Sequence, residues 1–241
     1  MMMKNSSNFA DLAQYNFISK TEQISLSGFS DVLWECQYNP EHYDDQLFTK
    51  LGISFPEEIR RSIVKRKAEF LSGRHCAQLA LKQLGYDNTE IPIGDRRAPR
   101  WPHGLKGSIT HAGNIALCAL SINSESVGID YELLITDKTA TGIKGNIVNL
   151  MEEARLSYSG MSINHWLTIA FSIKESLFKA LYPIVNQYFD FLDAEITNIN
   201  EKEQILSLTL KRDLCTDVRS GQIFNGRYYF HRSGILTLME Y

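Results

Sequence analysis

The sequence predicts an α+β protein built as two halves of similar size. Three observations carry this. The chain's 241 residues suffice for one large domain or two small ones, each able to bury a core. Apolar residues make up 44% and charged residues 22%, the composition of an ordinary globular chain rather than a disordered, collagenous or coiled-coil one. The predicted elements run strand, helix, strands, then helix, strands, the order of two α+β units in series. The halves are assigned to residues 1–122 and 123–241, joined near Ser121–Ser126.

Residues 1 to about 20 are polar and weakly patterned, a loose arm. Gln23–Tyr38 mixes aromatic and β-branched residues with polar ones, as one or two strands do. Ser54-Phe55-Pro56-Glu57-Glu58 places proline and acids where a first helical turn wants them, and the helix is expected to run to Leu84 and end at Gly85. Ile91–Gly107, rich in Pro, Gly and Arg, reads as a loop. Strand-like segments follow at Ser108–Ala112, Ile115–Ile122 and Ser126–Leu134. Thr136–Gly145 is too weakly patterned to assign. Helices are expected over Val148–Tyr158 and, more strongly, Asn164–Leu181, the latter stopping ahead of Pro183. Four strands close the chain: Ala194–Ile199, Gln204–Lys211, Gly226–Phe230 and Ile235–Leu238. The sequence has no repeat and no low-complexity tract.

Several classes are disfavoured at once. A net charge of −3 does not suit a nucleic-acid binder relying on bulk positive charge. Cys36, Cys76, Cys118 and Cys215 are scattered without a C-x-x-C pair, so they suggest neither a zinc site nor a disulfide framework and fit a reducing compartment. The longest apolar run, Ile115–Leu120, is too short for a transmembrane segment. Met-Met-Met-Lys-Asn-Ser-Ser-Asn lacks the pattern of a signal peptide. The expected location is the cytoplasm. The usual phosphate-cradling glycine loops, H-E-x-x-H and the G-x-S-x-G elbow are also missing.

Four segments remain as carriers of chemistry. In Val127-Gly128-Ile129-Asp130-Tyr131-Glu132 the two acids share one strand face, with Gly128 leaving open space beside them and Ile129 and Tyr131 turned to the core. Such a pair is either a solvated face or a holder of a cation such as Mg²⁺. In Phe171–Lys179, Glu175 and Lys179 are helical neighbours; they form a surface salt bridge or a third metal carboxylate with a lysine to meet developing negative charge. His111, ending a β segment between glycines, is either structural or an anion contact. Lys65–Arg74 places Arg74 beside an apolar stripe, where it needs a partner: a carboxylate such as Glu69, or a phosphate. Arg96 and Arg97 add cations from the loop. Together these supply what phosphate-ester chemistry needs, carboxylates for a divalent ion and cations for phosphates.

The ordered motifs K-R-K-A-E-F-L-S-G-R (65–74), R-W-P-x-G-x-x-G-S-I-T-H (100–111), G-I-D-Y-E (128–132) and F-S-I-K-E-S-L-F-K-A (171–180) resemble those of the Sfp-type 4′-phosphopantetheinyl transferases. The resemblance covers about residues 50–185 and is nearest the branch typified by enterobactin synthase component D. It implies two pseudo-symmetric α+β subdomains with the active site in the cleft between them. It also implies Mg²⁺-dependent transfer of phosphopantetheine from coenzyme A to a serine of an acyl or peptidyl carrier protein, releasing adenosine 3′,5′-bisphosphate. The pathway would be non-ribosomal peptide, siderophore or polyketide synthesis. By the same resemblance Asp130, Glu132 and Glu175 hold the metal, with Mn²⁺ an alternative ion. Glu175 accepts the serine proton, directly or through a water. Lys174 and Lys179 neutralise the pyrophosphate and the leaving bisphosphate, and Lys179 is a candidate to protonate it. His111, Arg66 and Arg74 bind the nucleotide end, and Arg96 and Arg97 are looser candidates near the adenine. A monomer is expected, with no nucleic-acid partner and no transmembrane segment.

Many members carry Trp at Phe171 and Ser at Thr110, changes that keep aromatic and hydroxyl character. Glu152 and Glu153 fall where some members place a further acid, without a matching local motif. The alternatives are a metal-dependent phosphodiesterase acting on coenzyme A and a non-catalytic coenzyme A- or carrier-binding homologue. Asp130→Ala or Glu175→Ala is expected to abolish transfer and leave folding largely intact.

Overall fold

A computed structural model describes residues 16–241. It forms two compact units: residues up to Leu105 with Ile109–Leu120, and Lys106–Ser108 with Ser121–Tyr241. Each has one antiparallel sheet and one long helix, the α+β class expected from the sequence.

The sheet of the first unit has strand order β1-β2-β4-β3, with β1 at Ile18–Gln23, β2 at Val32–Tyr38, β3 at Lys106–Ala112 and β4 at Ile115–Ser121. Every residue of β4 is buried. This is why the segment reads as a continuous apolar run instead of an alternating one. Most of the expected N-terminal arm lies outside the described residues. Its end is not loose: Phe17 and Ile18 are buried in the core, and β1 begins there.

Short helices α1 (Gln46–Lys50) and α2 (Glu57–Arg60) precede the long α3 (Val64–Gln83). The single helix expected from Pro56 to Leu84 is therefore broken. Ile63 is extended, with ψ 156°, and the Ser62 hydroxyl donates to Glu58 O at 3.1 Å, one of the local bonds by which serine competes with helix continuation. The end at Gly85 is as expected. Gly85 has φ 83°, its N–H donates to Lys82 O at 3.0 Å, and Tyr86 N–H donates to Leu81 O at 3.1 Å, a Schellman closure. Between Phe70 and Gln78 every residue of α3 is buried, so this helix shows no clean apolar stripe.

The sheet of the second unit has order β5-β9-β8-β7-β6, with β5 at Val127–Leu133, β6 at Ala194–Asn200, β7 at Ile205–Leu210, β8 at Ile223–His231 and β9 at Gly234–Glu240. Helices α4 (Asp137–Ile147) and α5 (Leu150–Ser157) lead into α6 (Ile163–Val185), which lies across β5, β9 and β8. Helix α4 occupies the stretch left unassigned from the sequence. Only Ala140 and Ile147 are buried, too few to print a helical period, and its start is marked by the Thr136 side chain accepting from Thr139 N. Helix α6 continues through Pro183 and closes at Asn186, whose φ is 49°; the proline falls in the last turn, where the helix ends soon after.

Gly128 does not leave open space, as the sequence suggested; the backbone of α6 fills it. A Cβ built on Gly128 would lie 1.9 Å from Ser176 O and 2.7 Å from Ala180 N. Gly128→Ala is expected to cost about 3 kcal/mol or more, because backbone has to move, read as a lowered urea midpoint. His75 supplies a pH prediction. Both its ring nitrogens are buried without a hydrogen bond, and the nearby Gln78 amide donates instead to Gly52 O at 3.1 Å. Burial pulls the His75 pKa down to about 4. Between that value and the ordinary histidine range the unfolded chain binds the extra proton, so this group lowers stability as pH falls through that window, by up to about 1.4 kcal/mol per pH unit. His75→Gln should flatten that part of the pH–stability curve.

Candidate active site

The first unit holds a cavity of about 260 Å³ against α3, lined by Arg66, Glu69, Arg74, Arg97, Ile109 and His111 among others. Residues 66, 69, 70, 73 and 74 follow helical spacing, so they share one face of α3. Gly73 lets β3 close in: a Cβ there would lie 2.8 Å from Ile109 Cγ2. Arg74 is 7% exposed. Its Nε is buried without a hydrogen-bond partner, and its guanidinium lies 4.7 Å from the Phe70 ring centroid. Of the two partners considered for it, Glu69 is taken elsewhere, facing Arg66 at 3.8 Å, Lys65 at 3.9 Å and His111 at 3.7 Å. Among the described residues no carboxylate pairs with Arg74. Burial lowers its pKa to about 10, so it stays charged at neutral pH and is suited to receiving an anion.

Arg66 donates to His111 Nε2 at 2.9 Å. That nitrogen is therefore the acceptor, and the ring proton belongs on Nδ1, the side of Glu69. Arg96 and Arg97 both have positive φ, 49° and 70°. Arg97 lines the cavity and Arg96 does not.

The second unit gathers the carboxylates. Asp130 and Glu132 rise from β5 toward α6, while Ile129 and Tyr131 are fully buried. Asp130 is itself 3% exposed. Its Oδ1 accepts from Lys179 Nζ at 2.7 Å and its Oδ2 from Ser172 Oγ at 2.8 Å. Lys179 also donates to Ile129 O at 3.1 Å. Burial, then the neighbouring Asp130 charge, push Glu132 up to about 7. Burial raises Glu175 too, with Lys179 opposing. Three carboxylates thus crowd one ammonium.

An all-oxygen set with excess negative charge suits a hard divalent cation. Among the described residues no three acidic, histidine or cysteine side chains are gathered closely enough to hold a metal ion by themselves, and Lys179 occupies one Asp130 oxygen. A cation held by few protein ligands and keeping waters fits such a set. Beside Glu175 lies a smaller cavity, about 80 Å³, walled by Phe178, Tyr188, Phe189 and Phe191. The last three come from a loop in which sequence reasoning found no site.

Lys174 corrects an expectation. It is 2% exposed, paired with fully buried Glu152 at 2.6 Å, and donates to Ile147 O at 2.8 Å and Phe191 O at 3.0 Å. Its three protons are spent inside the fold, so it does not meet a pyrophosphate. Glu152 accepts in addition from Asn149 N and Ile196 N, and Glu153 pairs with Lys144, so neither acid joins the carboxylate set. One residue along an α-helix turns the side chain by about 100°. That alone signals that Lys174 and Glu175 cannot share a face. Ser172, Ser176 and Thr237, all fully buried around Asp130, were also missed.

An anion pocket on one α+β unit and a cation-seeking carboxylate set on another define a protein that handles phosphate esters. Residues 55–121 match the 4′-phosphopantetheinyl transferase N-terminal domain and residues 126–230 the 4′-phosphopantetheinyl transferase superfamily. Enterobactin synthase component D of Escherichia coli (strain K12) is 34% identical over 187 residues, covering 78% of this chain and 87% of that protein. The 4′-phosphopantetheinyl transferase PptT of Mycobacterium tuberculosis is 38% identical over 147 residues, 59% of this chain and 64% of the relative. Npt of Nocardia iowensis, a further 4′-phosphopantetheinyl transferase, is 35% identical over 141 residues, 58% and 62% of the two chains. The chain belongs to the 4′-phosphopantetheinyl transferase superfamily. The family uses coenzyme A as substrate and typically a divalent metal, and it acts on carrier protein domains. No helix among the described residues is long and apolar enough to cross a membrane.

Inorganic phosphate is expected to raise the melting temperature of the wild type by filling the Arg74 pocket. Arg74→Met should remove that rise and leave the phosphate-free melting temperature unchanged or higher, because it deletes a buried, unpaired charge. Differential scanning calorimetry with and without phosphate checks both.

Proposed function

We propose that this chain transfers the 4′-phosphopantetheine group of coenzyme A to a serine of an acyl or peptidyl carrier protein, with Mg²⁺, in siderophore or peptide synthesis. The observation that carries the reading is the Asp130–Glu132–Glu175–Lys179 set on β5 and α6, in a chain of this family. Asp130, Glu132 and Glu175 would hold the divalent ion, which when bound offsets the charge of the pyrophosphate. Arg66, Arg74 and His111 take the nucleotide end with its 3′-phosphate, and Arg97 adds a charge at the rim. Arg96, outside the cavity lining, is assigned the adenine side only.

Glu175 takes the proton of the carrier serine, directly or through a water. Its carboxyl is raised by burial, with Lys179 opposing, which makes it a stronger base than a solvated glutamate. The serine oxygen then bonds to the phosphorus that bears the pantetheine, and the bond from that phosphorus to the bridging oxygen breaks. Adenosine 3′,5′-bisphosphate leaves with the electron pair. Lys179 meets the charge that develops on it. The phenyl wall of Phe178, Phe189 and Phe191 limits water beside Glu175, which favours transfer over hydrolysis.

The test is intact-mass spectrometry of an apo peptidyl carrier protein incubated with the chain, coenzyme A and Mg²⁺. A gain of one phosphopantetheine unit is expected, and it should be lost with EDTA or when the carrier serine is replaced by alanine. Asp130→Asn and Glu175→Gln, which keep the shape of these buried groups, should each lower the rate by at least about 100-fold. Coenzyme A breakdown without carrier modification would replace this reading with a phosphodiesterase. Binding of coenzyme A with no turnover across several carriers would replace it with a non-catalytic homologue.

A further inference from the structure

Behind Asp130 lies a line of hydroxyls with no partner role in the chemistry above. Thr237 of β9 stands directly across from Asp130 of β5 in the antiparallel ladder, so both side chains face α6. Ser172 and Ser176 are one turn apart on the facing surface of that helix. All three hydroxyl residues are fully buried, among Ile173, Leu177, Ile235 and Met239 of the core.

The direction of the bonds can be worked out from valence. An ionised carboxylate only accepts. Ser172 therefore spends its one proton on Asp130 Oδ2, at 2.8 Å. Its 2.9 Å contact with Thr237 Oγ1 must then be a bond from Thr237. With that proton spent, the 2.7 Å contact between Thr237 and Ser176 runs from Ser176, whose one proton is shared with Thr237 O at 3.1 Å. The chain is one-way: Ser176 to Thr237, Thr237 to Ser172, Ser172 to Asp130.

We infer that Thr237, through Ser172, is a positioning residue for Asp130, fixing which carboxylate oxygen faces the fold and which is presented to the cation; this rests on the metal-site reading above. A buried hydroxyl is costly unless bonded, and valine has threonine's shape without that cost. Without Thr237 as a donor, Ser172 loses the bond its oxygen accepts from outside its own helix, so its hydroxyl is held less firmly and the carbonyl one turn earlier competes for its proton. Asp130 would then keep Lys179 while the bond from Ser172 to its second oxygen is weakened. Partners of this kind behind a metal ligand typically govern metal affinity by about 10- to 100-fold.

The experiment is an electron paramagnetic resonance titration of free Mn²⁺ with the full chain, saturating coenzyme A and no carrier, read against a protein-free blank. Thr237→Val is expected to weaken Mn²⁺ by at least about tenfold, with Thr237→Ser within about threefold of wild type. Affinity for adenosine 3′,5′-bisphosphate without metal should not change. Ser172→Ala should lose Mn²⁺ affinity as Thr237→Val does, which covers the case in which the valine variant does not fold. Equal Mn²⁺ affinity in wild type, Thr237→Val and Ser172→Ala overturns the positioning role and leaves the metal site standing. If Asp130→Asn also leaves Mn²⁺ affinity untouched, the metal-site reading itself is wrong, and the inference falls with it.

Discussion

The contact on which the second unit depends is backbone against backbone, at Gly128. With no side chain in the way, β5 lies so close to α6 that a methyl group would fall on the Ser176 carbonyl. Asp130 and Glu132 ride on that strand, and Ser172, Glu175 and Lys179 on that helix. The close approach lets Asp130 reach Ser172 and Lys179 directly, at 2.8 and 2.7 Å. Helices usually stand off a sheet by a layer of side chains. Here the layer is removed at one point, and polar groups of modest length can meet across it. A second glycine, Gly226 of β8, repeats the device under Ile173, whose Cδ1 lies 2.4 Å from where a Cβ would be.

Close approach also decides how charge is distributed. Asp130 is nearly sealed and accepts from both Lys179 and Ser172. Glu132 and Glu175, less firmly paired, are raised by burial. The first unit shows the opposite arrangement, a buried cation in Arg74 without a carboxylate. Each unit therefore carries an electrostatic deficit that a phosphate or a divalent ion would relieve. Structural ion pairs settle such deficits internally, as Lys174 and Glu152 do. Groups kept for a ligand leave them open.

Much of this was legible in the residues. The strands of the second unit lie where the sequence places them to within a few residues, and Gly85 ends its helix where expected. The motif acids and Arg74 each admitted an ordinary structural reading, and it was the ordered set of motifs, through its resemblance to a family, that singled them out. What could not be read has a physical reason in each case. Helix α4 buries only two residues and prints no period. The break at Ser62–Ile63 lies in one extended residue, Ile63, which no strong breaker in the sequence marks. Gly128 looked like open space because a sequence does not say what packs on a glycine. Thr237 lies 107 positions after Asp130, and only the strand register brings them together.

The buried Lys174–Glu152 pair changes what mutational scanning of this helix can report. Lys174 and Glu175 are adjacent in a motif that invites replacing both by alanine, and on the mechanism proposed above both replacements would silence the protein. The causes would be unrelated. Truncating Lys174 strands a glutamate carboxylate in the interior together with the carbonyls of Ile147 and Phe191, a defect of about 3–5 kcal/mol that unravels the junction of α4, α5 and β6. Loss of output at that position measures foldedness, while on the mechanism proposed above loss at its neighbour measures chemistry, and an assay that records only product would give the two the same score.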